Sequence, residues 1–131
     1  MSTSDKTAQW LGRVLDALAD PLRARILCIL AEHEVCVCYL VEVLHIVQPV
    51  VSRQLAALRR AGLVESRRDG KWIRYRLRKP ENQPASELLS EALRHLKSVR
   101  QTQTDLARLA ACSQRRTGQL KNAPLPQRVA G

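Results

Sequence analysis

The sequence feature that most constrains the fold is a change of period at Gly62. Before this glycine, apolar residues recur at helical spacing, whereas residues 63–68 and 71–77 are two strand-like runs that flank Asp69-Gly70. Asp-Gly between two such runs is a strong signal for a β-hairpin. The sequence therefore predicts a set of helices followed by a two-stranded hairpin.

Four helices are predicted ahead of this hairpin. Asp20-Pro21 is typical of a helix start, with Asp as N-cap and Pro in the first turn, and Gly62 is well placed to end the last helix. A short turn through residues 45–47 separates the third helix from the fourth. Helix, turn, helix and hairpin make a winged helix-turn-helix, which is mainly α with a β-hairpin wing. The predicted helices cover residues 7–19, 21–32, 36–44 and 48–61.

Beyond the hairpin, a linker at residues 80–84 precedes one long helix predicted over residues 85–111. Its apolar stripe is longer than one small domain would cover, so we expect a dimer surface, with packing inside the chain as the alternative. From Ser113 onward, Gln, Arg, Pro and Gly dominate and no period survives. We therefore predict a winged-helix domain over residues 1–112 and a disordered basic tail over residues 113–131.

The charge of the chain indicates a polyanionic partner. The formal charge is +10, and ten Lys and Arg lie between Arg53 and Lys79, where only Glu65 and Asp69 oppose them. A cationic block of this density favours nucleic acid over an ordinary solvated surface, and the helix-turn-helix indicates double-stranded DNA. Recognition helices present their first turns to the major groove, and hairpin arginines lie along phosphates. The predicted DNA-binding residues are Gln48, Val51, Ser52, Arg53, Gln54, Arg68, Lys71 and Arg74.

Cys36-Val37-Cys38 places two thiols one residue apart at the start of the third predicted helix. Soft thiolates select thiophilic ions, and a helix N-terminus stabilises a thiolate. Residues two apart on a regular α-helix point about 200° away from each other, so one ion would hold both thiols only if the first turn reshaped. We hypothesise that such chelation distorts the third helix and moves the fourth out of register with DNA. The alternative is that both cysteines are small core residues.

Three segments make the chain similar to the ArsR/SmtB family of metal-responsive repressors over about residues 8–111. This resemblance implies a homodimer joined by its first and last helices, which binds operator DNA without metal and releases it when an inducer binds. No cofactor is then required for DNA binding. The segments are Glu34-Val35-Cys36-Val37-Cys38-Tyr39-Leu40, Gln48-Pro49-Val50-Val51-Ser52-Arg53-Gln54-Leu55, and residues 61–77.

The first of these segments resembles the signature of the arsenic branch of the family, Glu-Leu-Cys-Val-Cys-Asp-Leu. The resemblance implies that Cys36 and Cys38 are ligands of As(III) or Sb(III). The best-known site of this type takes a third cysteine where this chain has Val41, so Cys112 or Cys28 is expected to complete the site, unless two sulfurs suffice. Tyr39 replaces the usual Asp, and Val47 stands where an N-cap Ser is expected. Both changes are expected to weaken the inducer response or operator affinity.

Other functions fit the sequence less well. A Zn(II) or Cd(II) sensor would need paired ligands in the last helix, where His95 is the only histidine. A thiol redox repressor would pair Cys28 or Cys112 with one of the two neighbouring cysteines. We find no phosphate loop, Ser-His-Asp arrangement or zinc-hydrolase motif, so an enzyme is not expected. The basic hairpin argues against a purely structural helical domain. No export signal or membrane-spanning run is seen, so we expect a cytoplasmic protein with no membrane partner.

Overall fold

The computed structural model describes residues 3–129, with side chains from residue 5 onward. The start of the predicted domain at residue 1 and the end of the predicted tail at residue 131 lie outside the described residues. Within that range the helices and strands are α1 (Thr3–Ala19), α2 (Pro21–Glu32), β1 (His33–Cys36), α3 (Val37–Leu44), α4 (Gln48–Arg60), β2 (Val64–Asp69), β3 (Trp72–Leu77), α5 (Gln83–Leu96), α6 (Arg100–Arg115) and β4 (Gln127–Arg128).

The helix-turn-helix consists of α3 and α4. His45 ends α3 in the left-handed conformation at φ 57°, and its N–H donates to the carbonyl of Val41 at 3.1 Å. Val47 then has extended dihedral angles and precedes α4, whose second residue is Pro49. Since Val47 has no side-chain acceptor, α4 begins without a side-chain cap. The sharp turn between the two helices therefore depends on the backbone at His45.

The predicted hairpin is confirmed as the pair β2 and β3, and we call residues 64–77 the wing. The strands are antiparallel, and their register runs from Val64 opposite Leu77 to Asp69 opposite Trp72. Gly70 supplies the turn with φ 63°, which glycine adopts without steric penalty. Together with α3 and α4, this hairpin confirms the predicted winged helix-turn-helix.

A strand that the sequence analysis missed lies between α2 and α3. β1 pairs with β3, with Val35 opposite Tyr75 and Cys36 opposite Arg74, and it pairs with β4 on its other edge. The sheet order is β2-β3-β1-β4. The expectation that the third helix begins at Cys36 is therefore corrected, because Cys36 ends a strand and precedes the helix.

The predicted long helix over residues 85–111 is divided in two. α5 ends at Leu96, Val99 is extended, and α6 starts at Arg100 in a new direction. α5 packs against α1, whereas α6 returns across α2 and α3. Residues 100–105 contain no apolar side chain that could continue the stripe of α5. They include instead a buried carboxylate, Asp105, which attaches the start of α6 to the rest of the chain.

The structure also differs from the predicted disordered tail. α6 continues to Arg115, Leu120 and Ala123 are buried, and a short 3₁₀ turn at Gly118–Leu120 lies against α3. β4 then adds to the edge of β1, and the N–H of Val129 donates to the carbonyl of Glu32 at 2.9 Å. Few apolar side chains anchor this segment, so a periodicity search does not find it.

The core that positions these elements is aliphatic. It is built from α1 to α6, β1, the start of the wing and the C-terminal segment, and its fully buried side chains include Val14, Ile26, Leu27, Ile29, Leu30, Leu40, Leu55, Leu58, Leu63 and Leu89. Within residues 3–129, none of the α-helices combines the length and apolar composition that a membrane crossing requires.

Candidate DNA-binding and thiol sites

The exposed face of α4 carries most of the polar residues that the sequence predicted. Gln48, Ser52 and Arg53 are exposed on its first turns, and Gln54 is half-buried. Val51 is 0% exposed and packs in the core with Leu55 and Leu58, so it does not contact DNA and that expectation is corrected. Helical spacing explains this burial, because positions 51, 55 and 58 lie on one side of the helix.

The wing presents Arg68 and Lys71 to solvent, next to the hairpin turn. Arg74, which was predicted to contact DNA, is only 4% exposed. Its Nε donates to Asp69 Oδ2 at 2.8 Å and its Nη1 donates to the carbonyl of Leu125 at 3.0 Å. Because its donors point into the protein, Arg74 is a structural ion-pair residue, and the predicted DNA contact is corrected.

The cationic block is smaller than its sequence indicates, since three of its arginines pair with carboxylates. Arg67 binds Glu34, Arg74 binds Asp69, and Arg76 binds Glu65. Glu34 lies on β1, outside the block, so counting charges along the sequence did not include it. The exposed cations of the block without an ion-pair partner among the described residues are Arg53, Arg59, Arg60, Arg68, Lys71, Arg78 and Lys79. These exposed cations are the ones free to attract a polyanion.

The thiol pair lies at the junction of the sheet and the helix-turn-helix. Cys36 ends β1 and has extended dihedral angles, with φ −78° and ψ 156°, and Cys38 is in the first turn of α3. The two cysteines therefore do not occupy a regular helix, and the predicted separation of about 200° does not apply to them. The regular-helix geometry from which strain was predicted is thus corrected, and reshaping of the first turn of α3 on ion binding stays a hypothesis.

Both thiols are buried, Cys36 to 1% exposure and Cys38 to 9%. Burial, reinforced by the charge of Cys38, raises the pKa of Cys36 to about 11, although Arg74 acts in the opposite direction. Burial also raises the pKa of Cys38, against hydrogen bonds with the backbone at Tyr39 and Cys38. The helix N-terminus thus does not keep these thiols ionised, and an arriving ion must displace their protons.

The other two cysteines occupy separate places. Cys28 is buried on α2 and bonds to Thr102 of α6, whereas Cys112 is half-buried on α6 near Glu42, and burial raises the pKa of both thiols. No group of three or more His, Cys, Asp or Glu side chains comes together as a metal site within the part of the chain that the structure describes. The third ligand predicted at Cys112 or Cys28 therefore stays a prediction.

Glu34 is a site residue that sequence reasoning missed. It is buried, its Oε1 accepts from Arg67 Nε at 3.0 Å and from Arg67 Nη2 at 2.7 Å, and it lies 3.9 Å from Arg74 Nη1. The available signal was an acidic residue two positions before Cys36 in an otherwise apolar run. A buried carboxylate requires cationic partners, and the arginines of the predicted wing were candidates for that role.

A helix-turn-helix followed by a basic two-stranded wing defines a winged-helix regulator. The family model that matches, over residues 20–66, is described as "Bacterial regulatory protein, arsR family". This chain belongs to the arsR family.

Several named relatives support this assignment. The Arsenic resistance transcriptional regulator ArsR1 of Pseudomonas putida is 49% identical over 65 residues, which cover 49% of this chain and 51% of that protein. The Arsenical resistance operon repressor of Escherichia coli is 44% identical over 78 residues, covering 59% of this chain and 67% of that protein. The repressor SmtB of Mycobacterium tuberculosis is 46% identical over 66 residues, covering 50% and 49%. The chain thus spans about half to two thirds of the length of these relatives.

Solved structures show the same fold. The transcriptional repressor BigR from Xylella fastidiosa has a TM-score of 0.58 at 34% identity, covering 76% of this chain and 97% of that chain. HlyU from Vibrio cholerae has a TM-score of 0.56 at 34% identity, covering 70% and 97%. The curated relatives given above are named as regulators or repressors, and two of those names refer to arsenic or arsenical resistance.

Proposed function

We propose that the protein is a homodimeric transcriptional repressor that binds operator DNA in the cytoplasm and is released by As(III) or Sb(III) held at Cys36 and Cys38. DNA contacts come from Gln48, Ser52 and Arg53 on α4 and from Arg68 and Lys71 on the wing, with Gln54 at the edge of this surface. The exposed cations of the block supply the phosphate attraction.

One observation carries the inducer site. Cys36 ends the strand that pairs with β3 of the wing, and Cys38 begins the helix that packs on α4. An ion bound by both sulfurs would therefore contact the strand that pairs with the wing and the helix that packs on α4. Thiolate ligands select soft, thiophilic ions, and the resemblance to the arsenic-branch signature favours As(III) or Sb(III) among them. The arsenic-resistance names of two relatives support the same choice.

The dimer in this proposal is joined by α1 and α5. These helices pack against each other. Leu15 of α1 is 56% exposed, and Val99, just beyond α5, is 45% exposed. The prediction named the last helix as part of the interface, but α6 covers α2 and α3 of its own chain. Of the two helices after the wing, the proposed dimer interface therefore includes α5 and not α6.

This function is tested by measuring how the protein binds labelled double-stranded DNA from upstream of its own gene. Fluorescence anisotropy reports the DNA affinity with and without arsenite. We expect arsenite to weaken DNA binding by about tenfold or more, and expect Cys36→Ser and Cys38→Ser to remove that response while binding DNA normally.

Two further single variants, Cys28→Ser and Cys112→Ser, identify any third ligand. Loss of the arsenite response in one of them assigns that cysteine to the site, and an unchanged response in both assigns a two-sulfur site. Release of DNA by Zn(II) but not by arsenite would identify Zn(II) as the inducer instead. Release by a mild oxidant alone, with a new disulfide in mass spectrometry, would identify a thiol redox switch. Unchanged DNA affinity with arsenite would contradict the proposal.

A further inference from the structure

One face of the sheet places the thiol Cys36 in the same row as two arginines. Arg67 on β2 is directly opposite Arg74 on β3, and Arg74 is directly opposite Cys36 on β1. Side chains of directly opposed residues lie on the same face, with Cβ atoms about 5 Å apart. Because side chains alternate along a strand, Glu34 and Asp69, each two residues from a member of this row, share the face as well.

Arg74 occupies the middle of this row and joins three parts of the molecule. It binds Asp69 at the turn of the wing at 2.8 Å, the carbonyl of Leu125 at 3.0 Å, and lies 3.9 Å from Glu34 on β1. The guanidinium is 4% exposed, so these contacts are shielded from solvent. Its closest carboxylate, Asp69, is half-exposed and immediately precedes Gly70 at the tip of the wing.

A second ion pair in the same wing lacks this connection. Arg76 binds Glu65 at 2.5 Å, both side chains are largely exposed, and neither residue is paired with β1 in the register of the sheet. The wing therefore takes part in two ion pairs that reach the thiol row, Arg74–Asp69 and Arg67–Glu34, and in one that does not. Of the first two, Arg74–Asp69 joins two residues of the wing, whereas Glu34 lies on β1.

Filling the thiol site adds bulk beside two side chains that are almost fully buried. Cys36 and Cys38 are buried in a close-packed region, and a bound ion adds an atom and its remaining ligand beside Cys36. The cross-strand neighbour Arg74 is a long, flexible side chain in that row, bound to Asp69 and close to Glu34 on the same face of the sheet. Displacement of Arg74 acts directly on Asp69, through their 2.8 Å bond.

We propose that the Arg74–Asp69 ion pair is the link that carries inducer binding at Cys36 to the tip of the wing, an inference that rests on the proposed function. Arg74 and Asp69 are positioning residues, since neither holds the ion nor contacts DNA through the groups that form the pair. Without the pair, the thiols still bind the ion but the wing no longer responds to it.

The test compares Asp69→Asn with the matched variant Glu65→Gln. Each removes one carboxylate charge from the wing and breaks one ion pair, and Asn-Gly keeps the turn because it is a favoured hairpin sequence. Arsenite affinity is measured by titration calorimetry on the free protein, and DNA affinity by anisotropy with and without arsenite. Asp69→Glu, which keeps the charge, serves as the rescue.

We expect all four proteins to bind arsenite equally. The unsubstituted protein, Glu65→Gln and Asp69→Glu should lose DNA affinity by about tenfold with arsenite, whereas Asp69→Asn should change by less than about twofold. Normal release of Asp69→Asn overturns the link and leaves the proposed function intact. Equal loss of release in Asp69→Asn and Glu65→Gln also overturns it, because wing charge alone would then explain the effect. Failure of the unsubstituted protein to bind arsenite overturns the proposed function itself.

Discussion

Tyr39 is fully buried next to the thiol pair, and within the described residues no hydrogen bond of ordinary geometry reaches its hydroxyl, although the guanidinium of Arg116 lies nearby. Burial raises the pKa of this phenol, although the nearby guanidinium of Arg116 lowers it in part. A buried hydroxyl without a partner loses its hydration without compensation. We therefore expect Tyr39→Phe to raise the free energy of unfolding by about 1 kcal/mol, measured by urea denaturation.

Tyr75→Phe is the matched control, because Tyr75 is half-exposed on β3 and its hydroxyl keeps access to water. We expect no measurable change in its unfolding midpoint. A Tyr39→Phe protein less stable than the unsubstituted one would show that the hydroxyl is satisfied in solution, by water or by Arg116.

At the scale of single residues, the sequence predicted chemistry better than orientation. Ser52 and Arg53 are exposed as expected, and helical spacing alone could have excluded Val51 from the DNA surface. Arg74 is different, because its burial depends on Glu34 and Leu125, which are 40 and 51 positions away in the chain. No local pattern reports contacts over such separations.

The returning helix α6 is anchored by one buried ion pair. Asp105 is 0% exposed and accepts two hydrogen bonds of 3.0 Å from Arg25 of α2, with a third from Gln101. Removing one partner of a fully buried pair costs roughly 3–5 kcal/mol, but Arg25 keeps part of its hydration. We expect Asp105→Ala to lower the free energy of unfolding by about 2 kcal/mol in urea denaturation.

Glu91→Ala on α5 is the comparison, since its partners Arg94 and His95 are exposed and water screens their attraction. Its unfolding midpoint should not move. Equal effects of the two substitutions would mean that α6 is not held by Asp105, and that the apolar contacts of Leu109 anchor the helix instead.

Elements with a local start or stop signal were predicted closely. α2 begins at Pro21 and the wing turns at Asp69-Gly70, as the sequence indicated. β1 has only four residues, and it becomes a strand because β3 pairs with it from 40 positions later. The helix break at Val99 was only weakly indicated in the sequence, by the polar stretch that follows it and interrupts the apolar stripe. The prediction of one continuous helix did not take this stretch into account.

At the scale of the whole molecule, the proposed dimer would decide how tightly the DNA surface binds. Two recognition helices on one dimer contact two half-sites, so a monomer loses much of the affinity. Leu15 on α1 is 56% exposed, and placing a charge there would make its burial against a second copy unfavourable. Leu125 has a similar exposure of 47%, but it belongs to the C-terminal segment whose backbone binds Arg74 of the sheet, and not to α1 or α5.

We expect Leu15→Asp to sediment as a monomer at concentrations where the unsubstituted protein is a dimer, and to bind upstream DNA about tenfold or more weakly, because one set of half-site contacts is lost. Leu125→Asp should remain dimeric and bind DNA normally, since Arg74 contacts only its backbone carbonyl. Circular dichroism establishes that both variants keep their helices. A dimeric Leu15→Asp protein, or an equal effect of the two substitutions, would place the interface elsewhere than α1 and α5. Sedimentation of the two variants therefore tests whether the exposed apolar surface of α1 is part of the dimer interface.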